Sequence, residues 1–275
     1  MKWLHFILSH SIFIAICAVA LCFQTAILLQ LDLPGYLYAF IFFSTLSSYN
    51  FYWLVSGYFL GTVSLKDFIR RRYTHIVVFI VAGFGMLYSI GRFPDLLPAV
   101  GISLLLTLLY AVPLLPFKIA RMARKAGLLK TILLAFTWSF VTVYIPYRQM
   151  PTGNIITLII LFNNRFLFML MLCIIFDARD TSVDKIRGLQ SLTTIIKPVT
   201  VQYIMLALFT VYIINGIVLR IYYHEAMQII ALLVTGVVAL IIYFFSLKKQ
   251  GYFFYYFLVD GLMIFSALAT YVASI

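Results

Sequence analysis

The chain has 275 residues, of which 64% are hydrophobic and only 10% charged, with a mean hydropathy of +1.08. Soluble domains carry about 25% charged residues, so a soluble enzyme or a soluble binding module is excluded. The net charge of +12 lies in short breaks between apolar runs, where loop topology and anionic lipid head groups account for it, and nucleic acid is not expected as a partner.

Runs of the length that crosses a bilayer, about 20 residues, follow one another along the chain. They lie near 10–30, 36–59, 75–92, 95–115, 129–147, 155–177, 199–219, 226–246 and 254–273. This pattern predicts an all-α polytopic membrane protein of about nine transmembrane helices, forming a single domain over 1–275. The first run, "IFIAICAVALCFQTAILLQL", is too long for a signal-peptide core and no convincing small-residue cleavage site follows it, so it reads as a span. Between spans three and four the break at Gly91–Pro98 is short, which predicts a tight hairpin. Sixteen of the twenty lysines and arginines fall on one side of this arrangement and three on the other. The positive-inside rule then puts the amino terminus in the cytoplasm and the carboxy terminus outside, in a setting read as the bacterial inner membrane. Cys17, Cys22 and Cys173 sit inside apolar runs and match no metal or disulfide spacing; they read as small buried hydrophobes.

Polar residues inside the spans are few. "FNNRF" places Asn163, Asn164 and Arg165 in span six. An arginine there is costly and should face the bundle interior or water. Asn163 falls on the helix face of Asp177, either lining an acceptor pocket or, if the trio lies at the outer interface, facing the membrane boundary. His5, His10, His75 and His224 are scattered and form no ligand set. Asp260, early in the last span, reads as a helix cap or ion-pairing residue in the outer leaflet, away from any chemistry.

The acidic residues number eight, and three of them, Asp177, Asp180 and Asp184, stand where span six ends. At about 100° per residue they share a helix sector of about 60°. Carboxylates that converge in this way repel one another unless a cation is present. Mg²⁺ suits them, being held by one or two carboxylates together with substrate phosphates, with Arg179 and Lys185 available for the remaining phosphate charge. The alternative is a solvated loop in which the acids pair with Arg179, Lys185 and Arg187.

The stretch "DARDTSVDKIRGLQSL" resembles the second aspartate motif of the UbiA superfamily of intramembrane prenyltransferases, D-x-x-D-x-x-x-D, with Gly188, Ser191 and Leu192 matching its continuation. "YAVPLLPFKIARMARKAGLLK", after span four, resembles the family's Tyr…Pro…Lys-Arg segment through Tyr110, Pro113, Lys118 and Arg121. The resemblance implies a Mg²⁺-dependent transferase that takes an isoprenyl diphosphate and a lipid-soluble or aromatic acceptor. It implies Asp177, Asp180 and Asp184 as metal-binding and catalytic residues, and Asn50, Tyr110, Lys118, Arg121, Arg179 and Lys185 as substrate-binding residues. The family's first motif, N-D-x-x-D-x-x-x-D, has its counterpart in "SSYNFYWLVSGYF", where Asn50 fits but Phe51, Leu54 and Tyr58 occupy the aspartate places. Arg70 and Arg71, in the run Arg70–Arg72, are then expected to hold diphosphate directly. A non-catalytic relative that binds an isoprenoid or a membrane partner is the alternative. A transporter ranks last, because apart from "NNR" the spans lack midplane polar groups. A CDP-alcohol phosphotransferase would require glycine where Thr181 stands.

Overall fold

A computed structural model describes residues 2–59, 65–92, 94–111, 127–149, 154–186, 192–222 and 225–275. Among the described residues all regular structure is helical. Helix α1 covers Lys2–Ser9 and α2 Ile12–Leu28, with a bend of 69° between them. The bend sits at Ser11, whose φ of 63° takes the chain out of the right-handed helix. Helix α3 is Gly35–Phe59, α4 Leu65–Ile90 and α5 Leu97–Ala111, the last entered through a 3₁₀ turn at Pro94–Leu96.

Helix α6, Gly127–Ser139, passes through a π turn at Phe140–Tyr144 into Ile145–Tyr147. Pro146 lacks the N–H that an α-helix would direct at Thr142 O. That carbonyl instead accepts a hydrogen bond from Thr25 Oγ1 at 2.7 Å, which ties α6 to α2. Helix α7 is Ile155–Ile186 and α8 the short Leu192–Ile195. Helix α9 is Pro198–Tyr222 and α10 Ala226–Ser246; α11, Asp260–Val272, continues from a π segment at Phe254–Val259.

Among the described residues six helical stretches are long and apolar enough to cross a membrane, or seven if the bent α1–α2 pair is one span. The chain is a membrane protein by this criterion. The difference from nine has a physical reason. Helix α3 is long enough, but Ser44, Ser47, Ser48 and Asn50 lower its hydropathy, and within the described residues the apolar stretch Pro94–Tyr110 is shorter than a span. Helix α7 is the central one: 67% of its span is buried, against 11% for that of α4 and 22% for that of α9. It packs on α6, α9, α10 and α8, while α3 packs most extensively on α4 and α2 on α11. The outward faces of α4 and α9, with Phe84, Leu87, Val211 and Ile214, are apolar, as a lipid-facing surface requires.

Buried polar groups join the helices. Gln24 Nε2 reaches Ser266 Oγ and Thr270 Oγ1, both at 2.8 Å, joining α2 to α11. Arg165 is buried in the bundle interior, as expected, and donates to Leu21 O at 3.3 Å and Thr25 Oγ1 at 3.5 Å. Asn163 is exposed and donates to Asn215 Oδ1 on α9, so it faces away from the interior. Gly236 lets α10 press against the fully buried ring of Tyr212, whose hydroxyl donates to Leu232 O at 2.7 Å.

Candidate functional site

Between α2, α3, α4, α5, α6, α7 and the start of α11 lies a cavity of about 830 Å³, within the range of about 300–1,000 Å³ typical of small-molecule sites. Helix α3 lines it with Phe40, Ser44, Ser48, Tyr52 and Ser56, a spacing of four that keeps these side chains on one face. These hydroxyls are why α3, although 25 residues long, falls short of the hydropathy of a membrane span. Along α6 the lining runs from Lys130 to Val141, a depth of about 16 Å at ~1.5 Å per residue.

The charged groups gather where five helix ends meet. Thr131 Oγ1, in the first turns of α6, donates to Asp177 Oδ2 at 2.6 Å near the end of α7. The backbone carbonyl of Asp177 accepts from Thr193 Oγ1 on α8 at 2.7 Å and from Thr181 Oγ1 at 3.0 Å. Asp180 is held by a two-pronged pair with Arg179, Nε to Oδ1 at 2.6 Å and Nη2 to Oδ2 at 2.8 Å. The Arg179 guanidinium lies over the rings of Phe176, Tyr255 and Tyr256 at 5.0, 5.3 and 4.8 Å, close enough for cation–π attraction. Its Nη1 is buried with no hydrogen-bond partner among the described residues. Lys130 Nζ stands 5.2 Å from the Tyr110 ring and 5.9 Å from that of Tyr52. Farthest from these groups along the lining helices the cavity is apolar, with Phe40, Met86, Val100 and Val141.

Asp177, Asp180, Arg179 and Tyr110, picked out by motif, thus line one cavity. Asp184 and Lys185 continue the backbone of α7, but their side chains lie outside the described residues, as do Lys118 and Arg121 altogether. Arg70 and Arg71 are exposed and are not among the lining residues. Arg72 is, and the backbone there leaves helical geometry, at φ −112° and ψ 15°. Asn50 is not a lining residue either. It is fully buried, donating through Nδ2 to His10 O at 3.0 Å and Leu46 O at 2.8 Å, with His75 Nδ1 3.0 Å from its Oδ1. Phe51, at the first missing aspartate place, does face the cavity.

Lys130, Thr131, His75 and Asp260 also line the cavity, and the sequence reading did not place them there. Asp260 does not stand apart in an outer leaflet. Tyr255 and Tyr256, one turn earlier, touch Arg179, so α11 starts at the same end of the bundle at which α7 stops. The Asp260 side chain is 7% exposed and makes no hydrogen bond or ion pair among the described residues. The signal for its position was the basic pair Lys248 and Lys249 just ahead of the last helix.

Among the described residues no group of three or more His, Cys, Asp or Glu side chains is placed to hold a metal ion. Asp177 and Asp180 supply two carboxylates one helical turn apart. Such a pair fits Mg²⁺ in the form in which phosphate oxygens and water complete the shell.

No protein-family model, no curated protein and no solved structure matches the chain. The likeness to the UbiA superfamily rests on the motif residues.

Proposed function

We propose that the protein is a UbiA-type prenyltransferase, moving an isoprenyl group from an isoprenyl diphosphate to a lipid-soluble or aromatic acceptor. In this reading nine helices cross the membrane, with the charged end of the cavity at the cytoplasmic face. One observation carries it. Asp177, Asp180, Arg179, Lys130 and Arg72 share a cavity whose far end is hydrocarbon and aromatic, a division that suits a ligand with an anionic head and an apolar tail.

Asp177 and Asp180, with Asp184 from the same motif, would hold Mg²⁺. The ion, when bound, neutralises the departing diphosphate. Lys130, Arg179 and Arg72 add fixed positive charge there, and among the described residues Arg179 Nη1 has no partner to give up. Arg72 takes the part first expected of Arg70 and Arg71. Preorganised charge of this kind in a water-poor cavity supplies much of the barrier lowering in such reactions. The C1–O bond then breaks with its electron pair leaving on diphosphate, and the acceptor forms its new bond at C1.

A second reading, a relative that binds an isoprenoid without transferring it, is favoured by two features. Arg179 occupies both oxygens of Asp180, and Phe51 leaves the α3 side without a carboxylate.

Purified protein in detergent, titrated with farnesyl diphosphate and Mg²⁺, tests the shared core. Ligand at 100 times Kd stabilises by about 2.7 kcal/mol, so Tm should rise by several degrees, and Asp177→Ala should abolish the rise. Absence of any rise in the wild type would overturn both readings. A rise without farnesyl transfer to native lipid extracts would select the second.

A further inference from the structure

His75 lies on α4 one turn beyond Arg72, and both line the cavity. Its protonation is fixed by its neighbour. Asn50 Nδ2 lies 3.0 and 2.8 Å from the carbonyl oxygens of His10 and Leu46. Carbonyl oxygens only accept, so the atom facing them is the amide nitrogen and Oδ1 has only lone pairs to offer. His75 Nδ1, 3.0 Å from that Oδ1, must therefore carry the hydrogen. A neutral imidazole has one N–H, which leaves a lone pair on Nε2. That atom has no hydrogen-bond partner among the described residues and is not sealed from accessible space.

His10 stacks on His75 with ring centroids 4.5 Å apart. Its Nδ1 lies 3.0 Å from both Phe6 O and Ser9 Oγ, and its Nε2 lies 2.9 Å from Thr74 Oγ1. Both of its nitrogens are occupied. Of the two stacked rings only His75 keeps a basic atom available. The other charged groups lining the same cavity are Arg72 on its own helix, Lys130 on α6, Asp177, Arg179 and Asp180 on α7, and Asp260 on α11. Asp177 and Asp180 already accept hydrogen bonds from Thr131 and Arg179.

We propose that His75 is the base that takes the acceptor's proton. The proposal rests on the prenyltransferase reading above. The C1–O bond breaks with its electron pair going to diphosphate, the acceptor's carbon or oxygen bonds to C1, and the proton it sheds moves to Nε2. The resulting imidazolium keeps its Nδ1–H on Asn50 and returns the proton to water as product leaves. The depth is suitable. Three residues along α4 set His75 about 4.5 Å further in than Arg72, just below the position of the diphosphate.

A positioned general base contributes about 10²–10⁴-fold. In full-length protein with farnesyl diphosphate and native lipid extract, His75→Gln and His75→Ala should lower single-turnover transfer by about 100-fold or more. The Mg²⁺–farnesyl diphosphate Tm shift should persist, added imidazole should restore part of the His75→Ala rate, and the acidic limb of the wild-type pH–rate profile should vanish in His75→Gln. Transfer by His75→Gln within about threefold of wild type, with that limb intact, would overturn the assignment while leaving the transferase reading standing. Loss of transfer together with the Tm shift would also overturn it. A wild type that transfers nothing ends both. Independently of activity, ¹⁵N NMR of histidine-labelled wild type should show His75 as the Nδ1–H tautomer; the Nε2–H form would refute the geometry from which the base is inferred.

Discussion

Replacing Asn50 by leucine removes three hydrogen bonds at a site with no exposed surface while nearly conserving volume. Leu46 O loses least, because as an i−4 carbonyl it retains its helix bond. His10 O and His75 Nδ1 lose a side-chain partner each. Buried hydrogen bonds inside membrane bundles are worth about 0.6 kcal/mol on average and up to about 1.7 kcal/mol, which gives a loss of about 1–3 kcal/mol for Asn50→Leu. Asn50→Asp, the smaller change in shape, should cost more. It preserves an acceptor for His75 but turns a carboxylate oxygen toward two carbonyl oxygens, and an uncompensated buried charge is more expensive than an apolar replacement. Reversible unfolding in mixed micelles as detergent composition is varied measures both. The stability order should be wild type, then Leu, then Asp. If Asn50→Leu lies within about 0.5 kcal/mol of wild type, or Asn50→Asp is the more stable variant, Asn50 does not hold α3, α4 and the α1–α2 bend together as described.

Two further outcomes follow from the packing, beside the ligand-shift and proton-transfer tests above. A Cβ at Gly236 would overlap the Tyr212 ring, with Cδ1 at 2.7 Å, and that ring is buried with its hydroxyl anchored. Gly236→Ala should therefore cost about 1–3 kcal/mol, whereas Gly216→Ala, which meets only the Cδ2 tip of Leu233, should cost less; equal losses in thermal melts would contradict this. Arg165 makes two long hydrogen bonds and no ion pair among the described residues. Arg165→Met should leave the protein at least as stable, since apolar replacement of a buried charge is commonly neutral or favourable, and a loss above about 2 kcal/mol would show that the guanidinium holds more than Leu21 and Thr25.

Membrane character was legible because apolar runs of bilayer length leave no other home for the chain. The clustering of Asp177 and Asp180 was legible because both belong to one helix, where angular spacing is fixed by sequence separation. Arg72 was not separable from Arg70 and Arg71, since the departure from helical geometry at Arg72 resets which side chain turns inward. Asp260 belongs to the charged end by the span count itself, since Lys248 and Lys249 put the start of the last helix on the basic side, and the contact of Tyr255 and Tyr256 with Arg179 agrees with that placement. Thr131 belongs to no motif and Lys130 is not one of the matched residues of its segment; their place at the site exists only because the start of α6 lies against the end of α7. The pairing of Arg179 with its immediate neighbour Asp180 depends on the long arginine side chain folding back, and no periodicity foretells that. Asn50 was recognised as special but given the wrong partner, because a buried amide looks the same in sequence whether it serves a ligand or two carbonyls.

The serines along α3 bear on how the chain is made. A segment with that many hydroxyls and no strongly apolar centre partitions poorly into lipid on its own, so it should not leave the translocation channel alone. Its most extensive neighbour, α4, is the next helix in the chain and has an apolar outer surface. The two are therefore expected to enter the bilayer together as a hairpin, with the later helices closing around the hydroxyl-bearing side once they arrive.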